Sequence, residues 1–284
     1  MVNGISTNSY TYNNENYVQR SNTSAVVGFC LASAAASGVT ALLPYFSKSF
    51  LKQMHIEHGN NDKYRDIFYR AVDNSGLKEK GLYVQSLEFT SPSSEKIYTL
   101  SGKKTAEGEI KAGLNADYAP KLKRIRINDK RTTISGFHEL GHAMNHLNGG
   151  FGRMLQKMRA PGYALAGLMG TVALFSRRKP KGADRDAWDV LQDNCGKIAF
   201  AAILPTVAEE ALASHKGIKM AKQAGLSKDL AKNLKKFYGK ALLSYIGYAV
   251  ITGLAVFASS KITEIFTRPK YVPSNYSSFN EFSA

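Results

Sequence analysis

His138 and His142 stand four residues apart with Glu139 beside the first, and no other residues of this chain have a spacing so suited to chemistry. On a helix such a pair is separated by about 40° around the axis, so both imidazoles leave one face a turn apart and could reach a single Zn²⁺ at roughly 2.0–2.1 Å. A carboxylate next to a water activated by that ion could take its proton and later return it. His138-Glu139-Leu140-Gly141-His142 therefore reads as the centre of a zinc peptidase, with one Zn²⁺ per chain and Glu139 as general base. The bland alternative is a helix carrying two surface histidines, since the motif fixes only three residues.

The elements needed to hold that centre are legible on both sides of it. Thr132 and Thr133 are candidate N-caps, Ile134 to Leu147 contains no proline, and Asn148-Gly149-Gly150 is a helix stop. Ahead of it, Lys121 to Asn128 alternates charged and apolar residues around Leu122, Ile125 and Ile127, the pattern of a half-buried strand that an extended peptide could join. Lys63 to Asn74 places Tyr64, Ile67, Phe68, Ala71 and Val72 at helical spacing. Leu82 to Phe89 and Lys96 to Leu100 have strand composition and complete a small sheet with Lys121 to Asn128.

The 284 residues suit one sizeable domain with appendages, and their apolar members are clustered. Ser24 to Phe46 and Ala241 to Ser260 hold no charge over 23 and 20 positions, each long enough to cross a hydrocarbon core of about 30 Å. The first resembles a signal peptide at Ala32-Ser33-Ala34 but is longer than an h-region, so an uncleaved anchor is preferred. Ala160 to Ser176 and Ile198 to Ala208 are shorter, as tilted spans, a re-entrant pair or buried helices would be. The formal charge of +16 comes from lysines and arginines flanking these stretches, including Arg153 to Arg159, Arg177-Arg178-Lys179 and Lys235-Lys236. That placement points to anionic lipid headgroups and a cytoplasmic active site, with no nucleic acid as partner because no binding motif accompanies the charge. Cys30 and Cys195 form no metal or disulfide framework.

A catalytic zinc takes three protein ligands and leaves a place for water. His146 continues the four-residue series, but three ligands on one straight helix stack along it, so His146 is expected outside the ligand set. Ten residues after His138 stands Asn148, not the third histidine of some zinc peptidases. Glu209 and Glu210 close an apolar stretch, where a carboxylate is costly unless paired or coordinated. Because neighbours on a helix point about 100° apart, only one of the two is expected to share the histidines' site. His215 is a guess for the group stabilising the oxyanion.

His138-Glu139-Leu140-Gly141-His142, followed 68 residues later by Glu210-Ala211-Leu212-Ala213-Ser214, resembles the integral-membrane gluzincin zinc metallopeptidases of the HtpX and prenyl-protease type and the related YugP-like neutral zinc metallopeptidases. Asn115-Ala116 is similar to the segment ahead of their edge strand, and the likeness spans roughly Lys63 to Lys222. It implies that Glu210 is the third zinc ligand beside His138 and His142. Ser214 stands where the prenyl-protease type has Asp, so it could hydrogen-bond a ligand histidine without supplying charge. The expected fold is α-rich α+β, a zincin-like core with a small sheet combined with transmembrane helices. A disordered tail over 1–23 precedes an anchor over 24–46. The peptidase domain covers 47–270, with apolar helices 160–176 and 198–214 and a transmembrane helix 241–260, and 271–284 is a disordered tail. The expected activity is hydrolysis of peptide or protein substrates at the cell membrane, the strand near Ile125 and Ile127 aligning the peptide. The alternatives are a non-proteolytic membrane-anchored scaffold with a basic surface, and a soluble peptidase with an unusually apolar core.

Overall fold

A computed structural model of the chain describes residues 9–12, 15–18, 22–34, 62–88, 106–111, 115–175, 178–181 and 183–271. The protein is helix-rich with a small mixed sheet, an α-rich α+β fold. It divides into two compact units. One comprises residues 1–43, 163–203 and 248–284, the other 44–162 and 204–247.

The second unit holds the histidine helix. Strands β3 (Tyr83–Ser86), β4 (Asp117–Ala119) and β5 (Arg124–Ile127) form a sheet in the order β3-β5-β4, with β3 parallel and β4 antiparallel to β5. Ile125 and Ile127 alternate inward, as the pattern requires, and are fully buried. They pack with Phe68, Ala71 and Val72 of α2 (Asp62–Asn74) and with Ile134, Phe137 and Leu140 of α4 (Thr133–Leu147), the short α3 (Ala106–Lys111) coming between β3 and β4 in the chain. The edge-on pair of Phe68 and Phe137, ring centroids 5.4 Å apart, fixes α2 against α4. Thr132 is the N-cap residue of α4, but its hydroxyl is engaged by the backbone of Asn128, accepting from its N–H and donating to its carbonyl. At the other end Asn148 closes the helix, and Gly149 and Gly150 turn the chain with φ of +72° and +69°, which favours glycine.

Topology corrects one expectation. β5 is the central strand, hydrogen-bonded on both sides, so the strand at Ile125 and Ile127 has no edge left for a peptide. Among the described residues the edge nearest α4 is β4, directly after Asn115-Ala116. Of the other expected strands, Leu82 to Phe89 shortens to β3, and Lys96 to Leu100 lies outside the described residues.

Three long helices contribute to both units. They are α5 (Gly150–Phe175), α6 (Ala187–Gln223) and α7 (Lys228–Thr267), each longer than the apolar run that announced it, with Pro161 and Pro205 accommodated inside α5 and α6. In the first unit their distal parts meet α1 (Asn22–Ala34), and Ser24 and Ser259 tie α1 to α7 by hydrogen bonds to Phe266 and Ala32 carbonyls. Gly196 of α6 and Gly253 of α7 are crossing points. A Cβ at either would lie under 3.0 Å from Phe257 or Phe200. Residues 35–46, the second half of the expected anchor, lie outside the described residues. Within 9–18, where low apolar content suggested no structure, β1 (Ser9–Tyr12) and β2 (Glu15–Val18) pair antiparallel, and β2 pairs with β6 (Lys270–Tyr271). Tyrosines at 10, 12 and 17 suit strand pairing better than composition alone suggests.

The basic residues ascribed to lipid headgroups are partly engaged within the protein. Arg178 is buried, donating to Asp193 at 2.7 Å and Ser260 at 2.8 Å, Arg185 also pairs with Asp193, and Lys179 pairs with Asp186.

Candidate metal centre

Two glycines decide how close α4 comes to α6. A Cβ on Gly141 would lie 1.9 Å from the carbonyl oxygen of Ala213, and one on Gly217 would lie 2.2 Å from that of Phe137. The two backbones therefore touch, and a glutamate one turn from that contact is long enough to meet the histidines.

Glu210 does so. Its Oε2 lies 3.0 Å from His138 Nε2 and 3.4 Å from His142 Nε2, and the two Nε2 atoms are 3.0 Å apart. Three vertices of a tetrahedron around an ion with ligands at roughly 2.0–2.1 Å are about 3.3 Å apart, so this triangle fits such an ion. The ring orientations fit as well. His142 Nδ1 lies 2.9 Å from Glu209 Oε1, and because a carboxylate only accepts, Nδ1 carries the proton and the neutral ring keeps its lone pair on Nε2. His138 Nδ1 is 3.0 Å from Ser214 Oγ, a hydroxyl that can accept its proton and so allows the same tautomer when an ion takes Nε2. Two lone pairs facing one another beside a carboxylate call for positive charge, as a proton or a metal ion. His138, Glu139 and His142, and likewise His142, Glu209 and Glu210, can each contribute to a metal-holding group.

In the metal-free protein a proton serves. Burial opposes charge on His142, but hydrogen bonds donated to Glu209 and Glu210 outweigh it and raise its pKa to about 10. Burial and the neighbouring His142 charge lower His138. Glu139 stands beside the triangle, a carboxylate oxygen within 4.8 Å of nitrogens of both histidines. Desolvation raises it to about 8.

Glu209 overturns the expectation that only one of the adjacent acids would reach the site. An imidazole offers nitrogens on two edges, so carboxylates about 100° apart can grip His142 from both: Glu210 faces Nε2 and Glu209 holds Nδ1. Glu209 is wholly buried and further receives Asn145 Nδ2 and Gln156 Nε2, each at 2.9 Å. Arg159, read from the sequence as a headgroup-facing cation, instead reaches both acids. Its place beside an apolar helix was the signal, since a cation there needs a counter-ion. Tyr238 packs its ring against that of His138, tilted by 51° with centroids 5.4 Å apart, and donates to the Ile134 carbonyl at 2.6 Å, and Tyr245 lies near Glu210. Neither tyrosine had a local signature. His146 is outside the triangle, its Nδ1 2.8 Å from the Tyr118 hydroxyl, and His215 is exposed.

No protein-family model, curated protein or solved structure matches the chain. The reading of the site rests on its own geometry.

Proposed function

We propose that the chain is a membrane-bound, zinc-dependent endopeptidase of the integral-membrane gluzincin type. The observation that carries this is the triangle of His138 Nε2, His142 Nε2 and Glu210 Oε2 with edges of 3.0–3.4 Å, with the Glu139 carboxylate beside it and outside the three vertices. Bound there, Zn²⁺ would polarise a water and the scissile carbonyl. The protein's own residues supply the rest. Glu139 takes the water's proton and delivers it to the leaving amine. β4 packs against α4, the helix that carries Glu139, so a peptide added along β4 would lie with its backbone beside that helix. Tyr245 is the hydroxyl we assign to the developing oxyanion.

The membrane part rests on α7, the one helix among the described residues long and apolar enough to cross a bilayer. Its Leu243, Ile246, Val250, Leu254 and Phe257 recur at helical spacing and are all exposed, a stripe suited to lipid. Five lysines, Lys228, Lys232, Lys235, Lys236 and Lys240, precede the apolar run at the end carrying Tyr238, which favours a cytoplasmic site.

The test is Glu139→Gln in detergent-purified protein. It should keep its zinc by elemental analysis and lose peptide hydrolysis by at least ~10²-fold, because a base is removed and no ligand is. Undiminished hydrolysis would remove Glu139 from the mechanism, and a wild-type chain without metal or cleavage would end the peptidase reading.

A further inference from the structure

Arg159 makes a contact that the proposed chemistry does not require. Its Nη1 donates to Glu209 Oε2 at 3.1 Å and its Nη2 is ion-paired with Glu210 Oε1 at 3.0 Å, so one planar guanidinium bridges two adjacent carboxylates. Their side chains are 0% and 3% exposed, whereas that of Arg159 is 34% exposed, so the cation reaches inward to them. Each acid thereby has one oxygen tied to arginine and the other turned to a histidine: Glu209 Oε1 to His142 Nδ1, Glu210 Oε2 to both Nε2 atoms.

We propose that Arg159 is a positioning residue that restricts Glu210 to one coordinating oxygen and holds Glu209 against His142. The inference rests on the metal-centre reading above. A carboxylate with both oxygens free can take an ion through two of them, which would occupy the place a water needs. With Oε1 held by Nη2, Glu210 offers Oε2 alone. The same fork sets the charge. A divalent ion with ionised Glu139, Glu209 and Glu210 sums to −1, and Arg159 returns the buried centre to zero, easing the desolvation of three acids. A lysine would keep that charge, but its single ammonium lacks the planar fork that meets two carboxylates in parallel. The geometry therefore separates a positioning role from a purely electrostatic one.

The experiment loads detergent-purified wild type, Arg159→Gln and Arg159→Lys with Co²⁺ and records the visible d–d absorption together with chelator competition and peptide hydrolysis. Wild type should show the intense band of a four-coordinate ion. Both variants should show the weaker band of a higher-coordinate ion, and kcat should fall on the order of 10–100-fold, the range found when groups supporting metal ligands are lost. Arg159→Gln/Glu209→Gln keeps the buried charge balanced, guarding against a variant that fails to fold, and should still show the weaker band because Glu210 Oε1 is released. A wild-type band and rate in Arg159→Lys would overturn the proposal by showing that charge suffices, as would an unchanged band in Arg159→Gln or the double variant. A wild-type chain that takes up no Co²⁺ would overturn the metal-centre reading itself, and with it this inference.

Discussion

At the scale of single residues, the proposed metal centre would exchange protons for metal. In the metal-free protein His142, raised to about 10, and Glu139, raised to about 8, both carry a proton at pH 7. A divalent ion should expel both, because it needs the His142 lone pair and stabilises the Glu139 carboxylate. Calorimetry at pH 7 in buffers of different ionisation heat should therefore detect release of about two protons in wild type and about one in Glu139→Gln. Equal release in the two proteins would place the second proton elsewhere. The same shifts determine how the metal-free fold responds to pH. A group whose folded pKa is raised favours the fold while it is protonated in both states, and that advantage is lost as pH climbs from the unfolded value to the folded one. For Glu139 this window runs from about 4.5 to about 8, and for His142 from about 6.5 to about 10. Metal-free protein should lose thermal stability steadily between pH 6 and 10, and metal-loaded protein should not. A flat metal-free profile would show that these two groups do not control it.

At the scale of elements, the site depends on two helices touching. Gly141 stands in the middle of the motif, where catalysis needs no particular residue, yet a Cβ there would lie 1.9 Å from the Ala213 carbonyl oxygen of α6. Gly141→Ala must part α4 from α6 by about 1 Å, carrying Glu210 from the histidines. Overpacking of this kind costs about 1–3 kcal/mol, and a misplacement of that size can cost about 10²-fold in rate. Metal affinity and hydrolysis should both collapse. Gly239→Ala in α7, with nothing within 4 Å of the added Cβ, should match wild type in both or gain slightly in stability. Equal effects of the two alanines would mean that the helix contact does not assemble the site.

At the scale of the whole molecule, the proposed membrane attachment rests on α7. Its 40 residues extend roughly 60 Å, about twice a hydrocarbon core, so on that proposal part of the helix would span and the part bearing Tyr238 would stand outside. Only 22% of its most apolar window is buried within the protein, which leaves the Leu243 to Phe257 stripe for lipid. In detergent phase separation the chain should enter the detergent phase. Recovery in the aqueous phase would favour a soluble peptidase whose α7 stripe is covered by protein.

His138, Glu139 and His142 and their shared helix were legible in the sequence because each depends on local periodicity, and Gly149 and Gly150 end that helix for an equally local reason. Ile125 and Ile127 likewise announced a buried strand by alternation. Alternation says which face is inward, not which strands lie on either side, so only the tertiary pairing made β5 central and β4 the edge. Glu209 and Glu210 were visible as costly carboxylates, and a likeness in motif singled out Glu210. That both engage His142, and that Arg159 bridges them from a helix some 50 residues earlier, depended on the α4–α6 contact through Gly141 and Gly217. Interactions between residues so far apart in the chain leave no periodic trace. They follow from which backbones can approach closely enough for short side chains to meet.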